Sequence, residues 1–574
     1  MPLTWGDILQ WHPAALDSAE AALRAARSAC TDRAGDLDAM ATPKGWSGDA
    51  ADNASVSLRR LRGELRDLVA QVSAAYTAVR DAADGVRGVE SAVRTALDHA
   101  HAGEFSIDAD GTVRDLRPPM CLSNTHDGLL IQQERQDRLG ECALRVEAAL
   151  RKAADVDADL GAVLAKILAG TIKGGDGSLG AAAASGEAMG RHSVLPPPGH
   201  GSPAENAAWW ASLSADEREE VIGAHPEWIG NRDGVEFAAR DRANRLLLDR
   251  RRVHVDERWA ILERFCHDEN GRFIYGNYLQ VKAEYEDLKE ERESIATLGA
   301  ILARPGAHAL LGLDFTTERT QAIVANGDVD HADHVAVFTP GLTSTVAGMG
   351  GYDSDMAALK LRTEGELFRR GEQGTVATVT WLGYQAPQWS TIFTSNSVAS
   401  SGVAEAGGAS LANFYRGMNA ARPTDPDLTA LGHSYGSTTT GYALQQAGVD
   451  VDRAIFFGSP GLGTSSLDTL AIRSGAAYYA EAKWDGVGDL AAFGADPTGM
   501  KGMQHLQTGA ATTPDGRAWE GIIGHLDYLK DGSTSQYSMA QVVGGHPDSA
   551  VHGKNVGWAT DPISAQDWYP EWLK

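Results

Sequence analysis

Gly432-His433-Ser434-Tyr435-Gly436 sets a serine between two glycines, and its neighbours give that spacing a chemical meaning. Leu428 to Leu431 is a short apolar run that predicts a strand, and Ser437-Thr-Thr-Thr-Gly-Tyr-Ala-Leu-Gln-Gln predicts a helix directly after it. A serine at that junction sits on a sharp turn, where glycines let other backbone come close and keep the hydroxyl clear of its own chain. The helix N-terminus behind it favours developing negative charge. The chemistry such an arrangement suits is acyl transfer to the Ser434 hydroxyl.

A serine hydroxyl is a weak nucleophile until a base removes its proton, and the base must be oriented by an acid. For a nucleophile on a strand-to-helix turn the two follow along the chain in the order acid, then base. Ala476 to Lys483 predicts a strand, and Asp485 closes it in Trp484-Asp-Gly-Val-Gly-Asp489, so Asp485 is the expected acid. Asp489 and Asp496 are the alternatives, Asp496 reading better as a turn residue before Pro497. Downstream stand His505, His525, His546 and His552. His525, in Gly521-Ile-Ile-Gly-His525-Leu-Asp-Tyr-Leu, follows an apolar run and precedes Ser535-Gln-Tyr-Ser-Met-Ala-Gln-Val-Val, a helix able to brace its loop. It is the expected base, with His546 as its rival. The oxyanion needs two backbone N–H groups. Tyr435, the residue after the nucleophile, supplies one, and Leu342 in the turn Thr339-Pro-Gly341-Leu-Thr343 supplies the other; Pro340 has no N–H to give.

Holding these residues together requires a sheet. The apolar runs His334–Gly341, Thr375–Gly383, Leu428–Gly432, Arg453–Gly458 and Ala476–Asp485 alternate with helical stretches and Gly-rich turns. That alternation predicts an α/β domain with a parallel, doubly wound sheet. The preceding chain is of another kind. Pro13 to Met40 and Asp49 to His101 are Ala-, Leu-, Glu- and Arg-rich with apolar residues at intervals of three and four, predicting two long amphipathic helices. Pro43, Gly45 and Gly48 break the helix between them beside Trp46. Phe105–Arg114 predicts a β-hairpin around Asp110-Gly111, and Asp127–Leu168 a further helix packing back as a bundle. From Gly170 the chain turns Gly-, Ala- and Ser-rich and ends in Leu195-Pro-Pro-Pro-Gly-His-Gly-Ser-Pro203, which reads as a linker. The expected organisation is therefore an all-α helical domain at 1–169, a linker at 170–205 and the α/β domain at 206–574.

Two family resemblances follow from these residues. The Trp46-Ser-Gly48 turn between two alanine-rich helices resembles the WXG-type helical hairpins of type VII secretion, which implies a helical protein partner or secretion machinery. The Tyr-x-x-x-Asp/Glu export signal of that family is missing, since Tyr76 is followed four residues on by Arg80. The second resemblance covers Trp209 to the end. It rests on Trp209-Trp-Ala-Ser-Leu-Ser-Ala-Asp-Glu-Arg, His225-Pro-Glu-Trp-Ile-Gly-Asn with Asp233-Gly234, Asp241-Arg-Ala-Asn-Arg, His334-Val-Ala-Val-Phe-Thr-Pro-Gly, Gly432-His-Ser-Tyr-Gly, Gly494-Ala-Asp-Pro and Gly524-His-Leu-Asp-Tyr-Leu. Together these resemble a family of actinobacterial α/β-hydrolases known as a domain of unknown function. The resemblance implies the α/β-hydrolase fold, Ser434 and His525 with an acid near Asp485, and hydrolysis of carboxylic esters by analogy of fold.

Composition narrows the field further. A net charge of -26 over 574 residues argues against nucleic acid as a partner, and Arg250–Arg252 is too short to offset it. The four cysteines stand far apart without metal-ligand spacing, so buried thiols are expected. No cofactor and no metal are expected. Ser106 to Arg117 lacks the acidic twelfth position of a calcium loop, Asp330-His-Ala-Asp-His334 reads as a solvated loop, and Gly174-Gly-Asp-Gly-Ser-Leu-Gly lacks the Gly-Lys-Ser/Thr of a phosphate loop. No basic segment followed by an apolar one opens the chain, and no stretch of about 18 apolar residues could span a bilayer. The protein is expected to be cytoplasmic, or exported without a conventional signal peptide by a type VII route. The leading expectation is a serine esterase or lipase-like hydrolase acting on a small-molecule or lipid ester. The alternative is a secretion-associated interaction protein or type VII-linked toxin, with the hydrolase domain as scaffold or effector.

Overall fold

The computed structural model describes residues 3–39, 45–117, 125–388, 401–422, 424–487, 493–513 and 515–553, the side chains of 33–39 excepted. The chain divides into two compact units. One comprises Met1–Met120, Arg138–Gly201 and Ala208–Val221, the other Cys121–Asp137, Ser202–Ala207 and Ile222–Lys574.

In chain order the first elements are α1 (Trp5–Ile8), α2 (Ala14–Ala39), α3 (Asp49–Gly103), β1 (Phe105–Ile107), β2 (Val113–Asp115), α4 (His126–Leu168), α5 (Leu179–Gly190), α6 (Pro203–Ser212) and α7 (Ala215–Ala224). The helices expected on either side of the Trp46 turn are α2 and α3; residues 40–44 of that turn lie outside the described residues. Tyr76 on α3 lies under the guanidinium groups of Arg24, Arg27 and Arg80, with Arg27 5.4 Å from the ring centre. Its ring thus serves packing between α2 and α3. β1 and β2 pair antiparallel around Gly111, whose φ is 92°.

The stretch expected to be linker is not unstructured. Leu179–Gly190 forms α5, and its glycines let it approach α3 at backbone distance: a Cβ on Gly186 would come within 2.1 Å of the Ala70 carbonyl oxygen, and one on Gly190 within 2.3 Å of that of Ala74. A Gly/Ala composition that suggests a flexible tether also suits a close helix contact, and the Ala70, Ala74, Ala78 face of α3 selects the second. The boundary expected near residue 170 also does not separate the units. Within the second unit, His126 Nε2 lies 2.9 Å from the Ile472 carbonyl oxygen, and Asp127 Oδ1 accepts from the Ser474 N–H at 3.0 Å. Trp209 and Trp210 belong to the first unit.

The second unit continues with α8 (Phe237–Cys266), α9 (Tyr275–Leu302), β3 (His308–Asp314), β4 (Gln321–Asn326), β5 (His334–Thr339), α10 (Met349–Arg369), β6 (Val376–Leu382), α11 (Gly402–Ala421), β7 (Asp427–His433), α12 (Tyr435–Leu444), β8 (Arg453–Phe457), β9 (Ala477–Ala480), β10 (Gln504–Leu506), β11 (Ala511–Thr512), β12 (Ala518–Trp519) and α13 (Thr534–Val543). Eight strands form one sheet in the order β10-β9-β8-β7-β5-β6-β4-β3. It is parallel except for β4, which pairs antiparallel with β6 on one side and with the edge strand β3 on the other. Sequence reasoning had not singled out those two strands.

Alternation along each buried strand creates two cores. Val335, Val337, Leu428, Ala430 and Phe456 face one way with Leu411 and Phe414 of α11 and Ala443 of α12. Ala336, Phe338, Leu431, Ile455 and Phe457 face the other way with Met356 and Leu359 of α10 and Met539 and Val543 of α13. Both faces are covered, which is why these strands read as unbroken apolar runs.

β3 would leave a row of backbone groups unpaired at the sheet edge. Side chains take the place of the missing strand. Asn231 Nδ2 donates to the Leu313 carbonyl at 2.6 Å while the Leu313 N–H donates to Asn231 Oδ1 at 2.7 Å. The Leu310 N–H donates to Asp241 Oδ1 at 2.6 Å, Asn244 Nδ2 donates to the Leu310 carbonyl at 3.0 Å, and Arg245 Nη2 to that of His308 at 2.6 Å. The His225–Asn231 and Asp241–Arg245 motifs thus find a structural role as the cover of an edge strand. Asp330 is likewise not the solvated loop residue expected: it is buried, and its carboxylate accepts the Phe237 and Ala238 N–H groups at 2.9 and 2.8 Å, at the N-terminus of α8.

Candidate active site

β5 pairs with β6 on one side and β7 on the other, so the connections through α10 and α11 leave in opposite directions. A crevice opens where strand order reverses in this way, beyond the carboxyl ends of the strands. The turn after β5 and the turn after β7 meet there.

Ser434 follows β7 with φ 54° and ψ -131°, immediately before α12. A non-glycine residue holds that conformation only when its surroundings over-determine it. Here the Ser434 N–H donates to the Phe457 carbonyl of β8 at 3.1 Å, and Ser434 O accepts the Ser437 N–H at 3.0 Å. The flanking glycines are sterically required: a Cβ on Gly432 would lie 2.6 Å from Ser437 Cα, and one on Gly436 2.1 Å from the Thr339 carbonyl oxygen.

The β5 turn closes on the same point. A Cβ on Gly341 would lie 2.7 Å from Ser434 Cβ and 3.0 Å from the Tyr435 nitrogen, so the backbone leading to Leu342 runs beside the Tyr435 amide. No acceptor among the described residues meets the Leu342 N–H. The turn is held from outside by the segment after β6. Tyr384 donates its hydroxyl to the Pro340 carbonyl at 2.6 Å, and the Thr343 N–H, at a residue with φ 67°, donates to the Pro387 carbonyl at 2.8 Å.

Asp485 and His525 come together on the other side of β7. His525 Nδ1 lies 2.9 Å from both carboxylate oxygens of Asp485, which is buried. The strand expected to run to Lys483 ends at Ala480, and a turn with the Asp485 N–H donating to the Ala482 carbonyl at 3.1 Å brings the acid round. Burial opposes ionisation of Asp485, but hydrogen bonds from His525 and Tyr528 outweigh it and hold the carboxyl below its ordinary range.

Three residues that sequence reasoning did not single out complete this arrangement. Tyr528 donates its hydroxyl to Asp485 Oδ2 at 2.6 Å and accepts the Ala482 N–H at 2.8 Å. Burial and the nearby Asp485 charge push that hydroxyl far above its ordinary pKa, so it stays a donor. His433, beside Ser434, packs against His525 with ring centres 4.7 Å apart and planes tilted by 36°, and its Nε2 lies 2.8 Å from the His525 carbonyl oxygen. Burial, then the adjacent His525, lower its pKa to about 4, leaving a neutral ring that donates. Gly458, at φ 54° after β8, leaves the space the pair occupies: a Cβ there would lie 2.7 Å from Asp485 Oδ2 and 3.0 Å from His525 Nδ1. The Gly-His-Leu-Asp-Tyr spacing was the available signal for Tyr528.

The rival residues lie elsewhere. His546 Nε2 is 2.9 Å from Glu372, ahead of β6, and so at the amino ends of the strands, opposite Ser434. His505 packs on Tyr479, and His552 Nε2 lies 3.2 Å from the Pro547 carbonyl oxygen. Asp496 accepts the Thr498 N–H at 2.8 Å as a turn residue, and Asp489 lies outside the described residues. Among the described residues no group of three or more His, Cys, Asp or Glu side chains could hold a metal ion. Cys142 and Cys266 are buried free thiols and Cys30 is half-buried and free; Cys121 lies outside the described residues. No described helix is long and apolar enough to cross a membrane.

This order of strands, with a serine turn after β7 and an Asp–His pair beyond β9 and β10, defines an α/β hydrolase, and residues 316–495 match the alpha/beta hydrolase family. The chain is similar to the uncharacterized protein Mb0988c of Mycobacterium bovis, with 32% identity over 238 residues, 40% of this chain and 85% of the relative. It is also similar to the uncharacterized protein Rv2079 of Mycobacterium tuberculosis, with 29% identity over 381 residues, 62% of this chain. The chain spans 57% of the length of that relative. No solved structure matches. The chain belongs to the α/β-hydrolase family.

Proposed function

We propose that the protein is a serine hydrolase that cleaves carboxylic esters through an acyl-enzyme intermediate. Ser434 attacks the ester carbonyl while His525 accepts its proton. Asp485 orients the imidazole through Nδ1 and stabilises the imidazolium. The N–H groups of Tyr435 and Leu342 hold the oxyanion. His525 then protonates the leaving alcohol, and water, activated by the same histidine, releases the acid. The observation that carries this reading is the buried Asp485 bonded to His525, whose ring packs against His433, next to Ser434 at its strained turn.

The test is labelling with a fluorophosphonate probe and turnover of p-nitrophenyl butyrate. Wild type should label, Ser434→Ala should not, and His525→Ala should lose about 10³-fold or more in kcat. A folded wild type that neither labels nor turns over any ester sinks the reading. The helical unit, with its resemblance to WXG hairpins, is proposed to recruit the enzyme to a helical partner or to type VII secretion machinery. In the alternative reading the chain is a secretion-linked interaction protein or toxin, and the hydrolase unit acts as scaffold or effector; wild-type labelling that vanishes in Ser434→Ala argues against the scaffold form.

A further inference from the structure

The loops that carry the acid and the base also carry large apolar side chains that the fold leaves in water. Trp484, directly before Asp485, is 55% exposed; Ile523 and Leu526, two residues before and one after His525, are 57% and 81% exposed. The two loops are tied together, since Lys483 and Ile523 form a parallel bridge and the Gly524 N–H donates to the Lys483 carbonyl at 2.9 Å. The three side chains therefore belong to one rim. Trp484 is held out at φ 68°, an unfavourable conformation for a residue of its size, with the Lys483 ammonium 5.5 Å from its ring centre.

Apolar side chains grouped at a reacting centre mark a surface that is covered during function. Whatever covers this one must be continuous with the bond that Ser434 attacks. With a net charge of -26, the chain gains nothing from long-range attraction to an anionic surface, so apolar contact has to carry the association. A tryptophan with a neighbouring lysine suits the boundary between hydrocarbon and water.

Building on the proposed serine mechanism, we propose that the substrate is a long-chain acyl ester taken from a lipid–water surface, with Trp484, Ile523 and Leu526 seated in the hydrocarbon next to the scissile bond. No chemical step changes; the rim decides which ester reaches Ser434.

The full-length protein is assayed on p-nitrophenyl esters from butyrate to palmitate dispersed in neutral detergent micelles, and on tributyrin carried through its solubility limit. The expected result is kcat/KM rising with chain length, by up to about fourfold per CH₂, and a steeper rate on tributyrin once droplets form. Leu526→Asp and Ile523→Asp should each lower the palmitate-to-butyrate ratio about tenfold, with Leu526→Ser as a milder substitution that gives the same direction. A flat chain-length profile, or equal loss on butyrate and palmitate, overturns the proposal and points to a protein as the occupant of the rim. Labelled Ser434 and butyrate turnover with a flat profile remove only the lipid assignment. Absence of both removes the serine mechanism and this proposal with it.

Discussion

Tyr528 donates its hydroxyl to Asp485 Oδ2 across 2.6 Å while accepting the Ala482 N–H, so one buried side chain ties the acid to the backbone turn that presents it. Among the described residues, further bonds to that carboxylate come from His525 and from the Val487 N–H at 3.1 Å. A carboxylate satisfied on several sides cannot swing away from the imidazole.

Tyr528→Phe removes a hydrogen bond to a charged group and leaves the Ala482 N–H without its acceptor. A loss of about 1.5–3 kcal/mol is expected, seen as roughly a 10- to 100-fold fall in kcat/KM on a soluble ester. Because Tyr528 helps hold Asp485 below its ordinary range, the acid limb of the pH profile should move upward. A lower rate with an unmoved acid limb would show that Tyr528 acts through packing alone.

Gly458→Ala places a methyl group 2.7 Å from Asp485 Oδ2 at a backbone φ of 54°. The left-handed conformation alone costs about 1 kcal/mol in stability. Displacing the pair should cost more in rate, about 100-fold in kcat, because an error near 1 Å is expensive at a reacting centre. Parallel measurement of thermal unfolding and of ester turnover separates the two effects.

His433 gives the protein an acid sensitivity of known sign. Its pKa is lowered from 6.5 to about 4 in the folded state, so between those values the unfolded chain binds a proton that the folded chain refuses. Its contribution is fully present above about pH 6.5 and is lost as pH falls toward 4, to a total of about 3 kcal/mol. Urea midpoints measured at pH 7.5 and pH 5 should show the decline, and His433→Gln should flatten it. An unchanged slope in the variant assigns the acid sensitivity to other groups.

Asn231→Ala tests the cover of the edge strand. It removes both partners of Leu313, a buried residue on β3, and should destabilise the protein by about 2–4 kcal/mol. Since β3 stands at the far edge of the sheet, four positions from β7, turnover per labelled Ser434 should stay unchanged. A selective loss of turnover would give Asn231 a part in the site instead.

The doubly wound sheet was legible because β5, β6, β7 and β8 are buried on both faces and read as unbroken apolar runs. β3 and β4 were not singled out: their antiparallel register is shifted between Leu310 and Gly312, and the outer edge of β3 is covered by Asn231, Asp241, Asn244 and Arg245, which are distant in the chain. The 170–205 stretch misled for a related reason, since alanine and glycine read as a tether until the backbone of α3 is beside them.

Local residues by themselves determined the serine turn. Gly432, Ser434 and Gly436 lie within one strand-to-helix junction, and its steric demands act over a few residues. Asp485 and His525, 40 residues apart, could be named only by order along the chain, and it is the tertiary structure that puts His525 against Asp485 and His546 against Glu372, which supports His525 as the proposed base. The two histidines flank the same helix, α13, yet one lies at the carboxyl ends of the strands and the other at the amino ends. Beyond the motif that holds Tyr528, what Tyr528, His433 and Gly458 do became visible only in three dimensions. Their roles depend on β8 lying beside β7 and on the Asp485 and His525 loops meeting over that pair, and such long-range packing leaves no period in the sequence.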